Sequence, residues 1–297
     1  MKFYARTDLA CESLEKVDRK REGIESCTEE ADGFTISRVR VISDDAAREL
    51  GKPMGSYTTV ECGRFQFLSD REDEQLSELI SAELCEMAKR LTGKQPNGEF
   101  GVFVAGLGNA ELTADAVGPK TVGMLTATRH LREHESRLYR EIGCASLSAL
   151  APGVLGQTGI ETLELLRGAV AYVQPDIVLV IDALAARSCE RLASTIQISD
   201  VGIEPGSGVG NHRSAITKET LGVPVIVLGV PTVVNSATLV YDALHEAGIQ
   251  EIGAPLERVL NSGKSFFVSP KESDVITERV SRIFANAISL AFVGGLY

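Results

Sequence analysis

The chain has 297 residues, 44% of them hydrophobic and 24% charged, with a formal charge of -11. That length can bury a substantial core in one large domain or two smaller ones, and the acidic balance, with no dense run of Lys and Arg, argues against direct nucleic-acid binding. The six cysteines (positions 11, 27, 62, 85, 144 and 189) form no C-x-x-C pair or zinc-spaced cluster, which fits reduced thiols in a cytoplasm, and no apolar run suits a signal peptide or membrane span.

Residues 1–35 are dense in Glu, Arg and Lys and read as an exposed segment with no part in the core. Thr35–Ser43 and Ser56–Phe67 partly alternate apolar and polar residues and read as strands. Ser69 followed by Glu72 forms a capping box, after which Leu76, Leu79, Ile80, Met87 and Leu91 recur at helical spacing until Gly93. Phe100–Gly106, Ile177–Asp182 and Val223–Leu228 are short runs rich in Val and Ile, the pattern of parallel strands buried on both faces. Ser146–Leu150 adds a further candidate strand, and Asp115–Glu133 and Ile160–Val173 read as the helices between. Val275, Ile276, Val280, Ile283, Phe284, Ala287, Ile288 and Ala291 share one face of a closing helix over Lys271–Phe292. No repeat or linker divides the chain, so one domain over residues 1–297 is expected. The alternation predicts an α/β fold with a doubly covered, mostly parallel sheet.

In such a sheet ligands bind beyond the carboxyl ends of the strands. Asp182 ends the run Ile177–Ile181, and Asp115 follows the turn Leu107–Gly108–Asn109 at the start of the next helix. Each has a structural alternative: Asp115 as a helix cap, Asp182 as a partner of Arg187 or a cap of its own. Brought together, two carboxyls cannot both ionise cheaply, and a pair sharing one proton can activate water against an amide. The same acids could instead hold a divalent metal, with His130 or His212 as a further ligand. The glycine-dense stretch Pro205–Arg213 could cradle an anion or a substrate backbone through its N–H groups, or serve only as an adaptable turn. Gly106 and Gly108 do not complete a dinucleotide fingerprint, because position 111 is Glu. No G-x-S-x-G elbow occurs, and no cysteine has a histidine close by in sequence.

Six stretches carry a resemblance to a known family: Gly106–Lys120, Thr128–Leu131, Ala151–Thr162, Pro175–Ser188, Ala193–Asn211 and Leu221–Val234, with weaker likeness at Arg6–Glu12 and Phe267–Asp274. Together they resemble the germination proteases of endospore-forming bacteria, over nearly the whole chain. The resemblance implies a phosphorylase/hydrolase-like, three-layer α/β/α fold related to the hydrogenase-maturation endopeptidases. It implies an endopeptidase of the spore-core cytoplasm that begins the degradation of small acid-soluble spore proteins, with no metal or other cofactor. Asp115 and Asp182 fall at the family's two essential aspartates in an atypical aspartic mechanism. Cleavage follows an acidic residue, so Arg187, Arg213 or Lys120 is expected to receive the substrate carboxylate, with Gly206, Gly208 and Gly210 as backbone-binding candidates.

Family members are homotetrameric zymogens that lose an N-terminal propeptide. Here five residues precede Arg6, so a very short, vestigial propeptide or none is expected, and the segment before Ser265 is shorter than in longer relatives. Two rival readings are a metal-dependent endopeptidase using the same acids and a nonenzymatic module binding an anion or nucleotide.

Overall fold

The three Val- and Ile-rich runs lie side by side within a single mixed sheet. The computed structural model describes residues 7–14, 22–209, 213–249, 253–260 and 266–294. Its nine strands among those residues are β1 (Ile24–Ala31), β2 (Phe34–Val41), β3 (Gly55–Glu61), β4 (Gly101–Gly106), β5 (Ser146–Leu150), β6 (Ile177–Ala186), β7 (Thr195–Ser199), β8 (Val225–Asn235) and β9 (Phe267–Val268). The order is β1-β2-β3-β7-β8-β6-β4-β5, with β9 added to the end of β8. Strands β8, β6, β4 and β5 are parallel, whereas β1, β2, β3, β7 and β9 join by antiparallel pairing. The expected parallel sheet is therefore its central portion, continued on one side by a meander.

Strand alternation divides the core into two layers. Val102, Val104, Ile177, Leu179, Ile181, Ile226 and Leu228 face the helices Asp70–Thr92 and Ser273–Phe292, through Leu76, Ile80, Leu84, Val280, Phe284 and Ile288. Phe103, Ala105, Val178, Val180, Val225 and Val227 face the helix Thr162–Val173 through Leu163, Leu166 and Val170. Both faces of the central strands are apolar because both are covered, which is why their sequences read as unbroken runs.

The long first helix is closed at both ends as its sequence requires. The Ser69 hydroxyl accepts from Glu72 N–H, the Glu72 carboxylate accepts from Ser69 N–H at 2.7 Å, and Gly93 ends the helix at φ 71°. Replacing Ser69 by Ala is expected to cost about 1 kcal/mol in a denaturant titration.

Four expectations are corrected. Residues 1–35 are not simply an exposed segment: among those described, Leu9, Ala10 and Glu12 are fully buried. Leu9 and Cys11 pack with Leu184, Ala186 and Val234, while Ala10 and Leu14 pack with Ile24, Val39, Val41 and Tyr57. The charge of β1 belongs to an edge strand, where solvated Glu residues discourage further pairing. Asp182 does not end its strand, because β6 continues beside β8 to Ala186, past the point where β4 stops opposite Ile181.

The third correction concerns the helix expected over Asp115–Glu133, which divides into a 3-10 turn Thr113–Asp115 and helices Val117–Met124 and Arg129–His134. Buried Thr128 ties the break to β5: its hydroxyl donates to Ala145 O at 2.6 Å and accepts from Leu147 N–H at 2.8 Å. Finally, β3 stops at Glu61, and Phe65–Phe67 form a 3-10 turn.

Candidate active site

Three aspartates from three chain segments line one cleft of about 630 Å³ at the carboxyl end of the parallel strands, together with Glu161 and Glu204. Asp182 comes from β6, Asp115 from the turn after β4, and Asp8 from the segment Thr7–Leu14.

Asp182 is buried, and alternation puts its side chain on the same face as Val178 and Val180. Its cross-strand neighbour on β8 is Gly229. Asp182 Oδ1 accepts from Ala183 N–H at 2.9 Å. Burial raises its carboxyl well above the ordinary carboxylate range, and repulsion from Asp115 and then Asp8 adds to the rise; the Ala183 hydrogen bond opposes it.

Asp115 is half-buried and is set by its loop. Leu107 N–H continues the β4–β6 ladder to Ile181 O at 2.8 Å, and Gly108 then turns the chain at φ 111°. Asn109 N–H donates to Asp115 Oδ2 at 2.8 Å, and Asp115 N–H donates to Leu112 O at 2.7 Å. Two hydroxyls anchor the same turn from other elements: Thr232 on β8 donates to Ala114 O at 2.6 Å, and Thr277 on the last helix donates to Thr113 O at 3.0 Å. Burial also raises the Asp115 carboxyl, opposed by the Asn109 hydrogen bond. The sequence-based alternative of Asp115 as a helix cap is not what forms, since Ala116 holds the cap position of the next helix.

The remaining candidates separate. Arg213 lines the cleft and lies 3.5 Å from Glu161, a second lining residue. Gly206 and Gly208 also line it, whereas Gly210 and His212 lie outside the described residues. Lys120 sits on the helix Val117–Met124 and pairs with Glu278 at 3.1 Å, and Arg187 presents its backbone N–H to Glu12 at 2.9 Å. Neither is among the described residues that line the cleft. His130 is exposed on the helix Arg129–His134. Among the described residues no group of three or more His, Cys, Asp and Glu is disposed to hold a metal ion, and no helix is long and apolar enough to cross a membrane.

Asp8, Glu12, Thr232 and Thr277 were not singled out by sequence. A strand-end rule finds Asp182 and Asp115, but acids in a charged N-terminal stretch and lone threonines carry no local pattern.

Comparison with known proteins agrees over the same segments. Residues 5–254 match the family described as germination protease. A germination protease of Caldanaerobacter subterraneus subsp. tengcongensis is 39% identical across 98% of this chain and 95% of its own. One from Geobacillus sp. (strain WCH70) is 42% identical across 82% of this chain and 67% of its own, and one from Clostridium perfringens (strain ATCC 13124) is 39% identical across 97% and 95%. Among solved structures, a NiFe hydrogenase maturation protease, HycI, from Thermococcus kodakarensis KOD1 aligns with 69% of this chain and 99% of its own at 17% identity and a TM-score of 0.36, a likeness too slight to inform the reading. With matching residues running through the segments that supply the cleft's three aspartates, the chain belongs to the germination protease family.

Proposed function

We propose that this chain is an endopeptidase of small acid-soluble spore proteins, cutting after an acidic residue with Asp115 and Asp182 as the reacting carboxyls. The observation that supports it is the unequal pair: two carboxyls face one cleft, Asp182 buried and Asp115 only half-buried, and burial and its neighbour's charge push the Asp182 carboxyl upward.

That inequality divides the work. Asp115, partly solvated and stabilised as a carboxylate by Asn109 N–H, takes a proton from water as the water oxygen attacks the scissile carbonyl carbon. Asp182 gives its proton to the carbonyl oxygen, which becomes the second hydroxyl of a tetrahedral intermediate. In the second step protonated Asp115 gives its proton to the departing amine, and the hydroxyl returns its proton to Asp182 as the carbonyl re-forms. Each carboxyl ends in its starting state, and the net change is one water added across one amide.

Arg213 is the basic group available to the acidic residue before the scissile bond, exchanging Glu161 for the substrate carboxylate. Arg213→Ala is expected to raise KM about 10-fold while kcat changes little. Gly206 and Gly208 bound the path of the substrate backbone.

The test is incubation of purified protein with a small acid-soluble spore protein, with fragments identified by mass spectrometry. Cuts following Glu or Asp, insensitive to chelators and to removal of bound metal, support the reading. An intact substrate defeats it, and metal-dependent cleavage transfers the same acids to metal ligation. The family resemblance adds a spore-core location, homotetrameric assembly and zymogen control, to be checked by light scattering and by N-terminal sequencing of protein from sporulating cells.

A further inference from the structure

The N-terminal segment Thr7–Leu14 lies across the second half of β6, and its contacts are concentrated on a few polar atoms. Asp8 and Ala185 exchange hydrogen bonds: Asp8 N–H donates to Ala185 O at 3.0 Å, and Ala185 N–H donates to Asp8 Oδ2 at 2.8 Å. The other oxygen, Oδ1, accepts from the Ser207 hydroxyl at 3.2 Å, so one carboxylate links β6 to the glycine-dense loop. Glu12 takes the Arg187 and Ser188 N–H groups at 2.9 Å each and also accepts from the Thr7 hydroxyl. The Gln197 side chain fixes the register by accepting from Ala10 N–H at 2.7 Å and donating to Asp8 O at 3.0 Å.

Gly208 is the loop's point of close approach. A Cβ there would overlap the Asp8 carboxylate and come within 2.7 Å of the Ala185 Cβ, although the Gly208 backbone itself is not in the left-handed region.

We propose that Asp8 is a positioning residue of the two-acid site, locking β6 and the 205–209 loop together and bringing a further carboxyl group into the cleft that holds Asp182. The inference rests on the two-acid reading. Both oxygens of that carboxylate serve the clasp, yet an acid next to a buried acid carries an electrostatic cost, and such conflicts mark functional positions. The charge favours the protonated form of Asp182 needed for donation to the carbonyl oxygen. The groups whose charges act on Asp182 are Asp115 from the turn after β4 and Asp8 from the N-terminal segment, and Glu161, Glu204 and Arg213 line the same cleft.

The experiment compares Asp8→Asn, Asp8→Ala and Gly208→Ala with the parent and with Asp115→Asn and Asp182→Asn, using cleavage of a purified small acid-soluble spore protein across pH. Asparagine can keep an acceptor for Ala185 N–H and removes the charge, while its amide nitrogen replaces the oxygen that accepts from Ser207 and can instead donate to that hydroxyl. Asp8→Asn is expected to melt within a few degrees of the parent, keep its KM, lose about 10-fold in kcat, and shift the alkaline limb of its pH profile down by about one unit, as deprotonation of Asp182 becomes easier. Asp8→Ala and Gly208→Ala are expected to lose about 100-fold. Parent-like kcat and an unmoved alkaline limb in Asp8→Asn, with Asp115→Asn and Asp182→Asn inactive, overturn the role of Asp8 and leave the two-acid reading standing. Full activity in Asp115→Asn or Asp182→Asn overturns that reading and this inference with it.

Discussion

Asp182→Asn and Asp115→Asn are each expected to lower kcat by about 10³-fold or more while leaving the fold intact, because asparagine matches the shape of the carboxyl but can neither give up nor accept the proton that the proposed mechanism transfers. Single-turnover cleavage, with circular dichroism as a check on folding, measures this. A residual rate above about a tenth of the parent's in either variant would show that proton transfer by the replaced carboxyl is not needed. The same Asp182→Asn variant is expected to be more stable than the parent at neutral and alkaline pH. Burial and the neighbouring acids hold the Asp182 carboxyl above its unfolded value, so the native state binds the additional proton in the interval between the two. Native stability is therefore lost as pH rises through that interval. Asparagine carries no such charge, so its melting temperature should exceed the parent's by several degrees at pH 8 and by little at pH 4. A constant difference across pH would mean that Asp182 is not carrying the cost of burial.

The second large effect is expected at Gly108. Its φ of 111° is open to glycine and strained for any L side chain, and a Cβ would overlap the Asp115 carbonyl oxygen and stand 3.0 Å from Asp115 Oδ1. Gly108→Ala must either hold strained backbone or move the turn that carries the carboxyl. A stability loss of about 1–3 kcal/mol follows from the strain. A fall in kcat of about 100-fold follows from displacement, since small errors in placement are costly when geometry supplies much of the rate. Calorimetry and steady-state kinetics separate the two, and a variant that loses stability but not kcat would show that Asp115 tolerates movement of its loop.

How much of this was legible in the chain differs from element to element. The helix Asp70–Thr92 was written locally, in the Ser69–Glu72 box, the apolar spacing and Gly93. The central strands were legible because burial on both faces leaves a continuous apolar run. β1 was hidden, since an edge strand with charged exposed positions resembles a solvated segment, and the break before Thr128 is set by its hydrogen bonds to β5, distant in sequence.

The same division holds at the site. That Asp182 and Asp115 would share a cleft could be read from the sequence because ligand clefts form beyond the strand ends of a parallel sheet, although β6 runs four residues beyond the aspartate. Choosing among Arg187, Arg213 and Lys120 was beyond the sequence, because a cation announces its charge and not the direction of its side chain; the fold puts Arg213 at the cleft and engages Lys120 with Glu278. Asp8 shows the limit most sharply. By itself the sequence determined the class of fold and nominated the two carboxyls, since both follow from local runs of residue types. Only the tertiary structure decided that an acid near the N-terminus stands beside an aspartate 174 positions later, and that the pair is unequal, because proximity and burial are properties of the folded chain and not of any stretch of it.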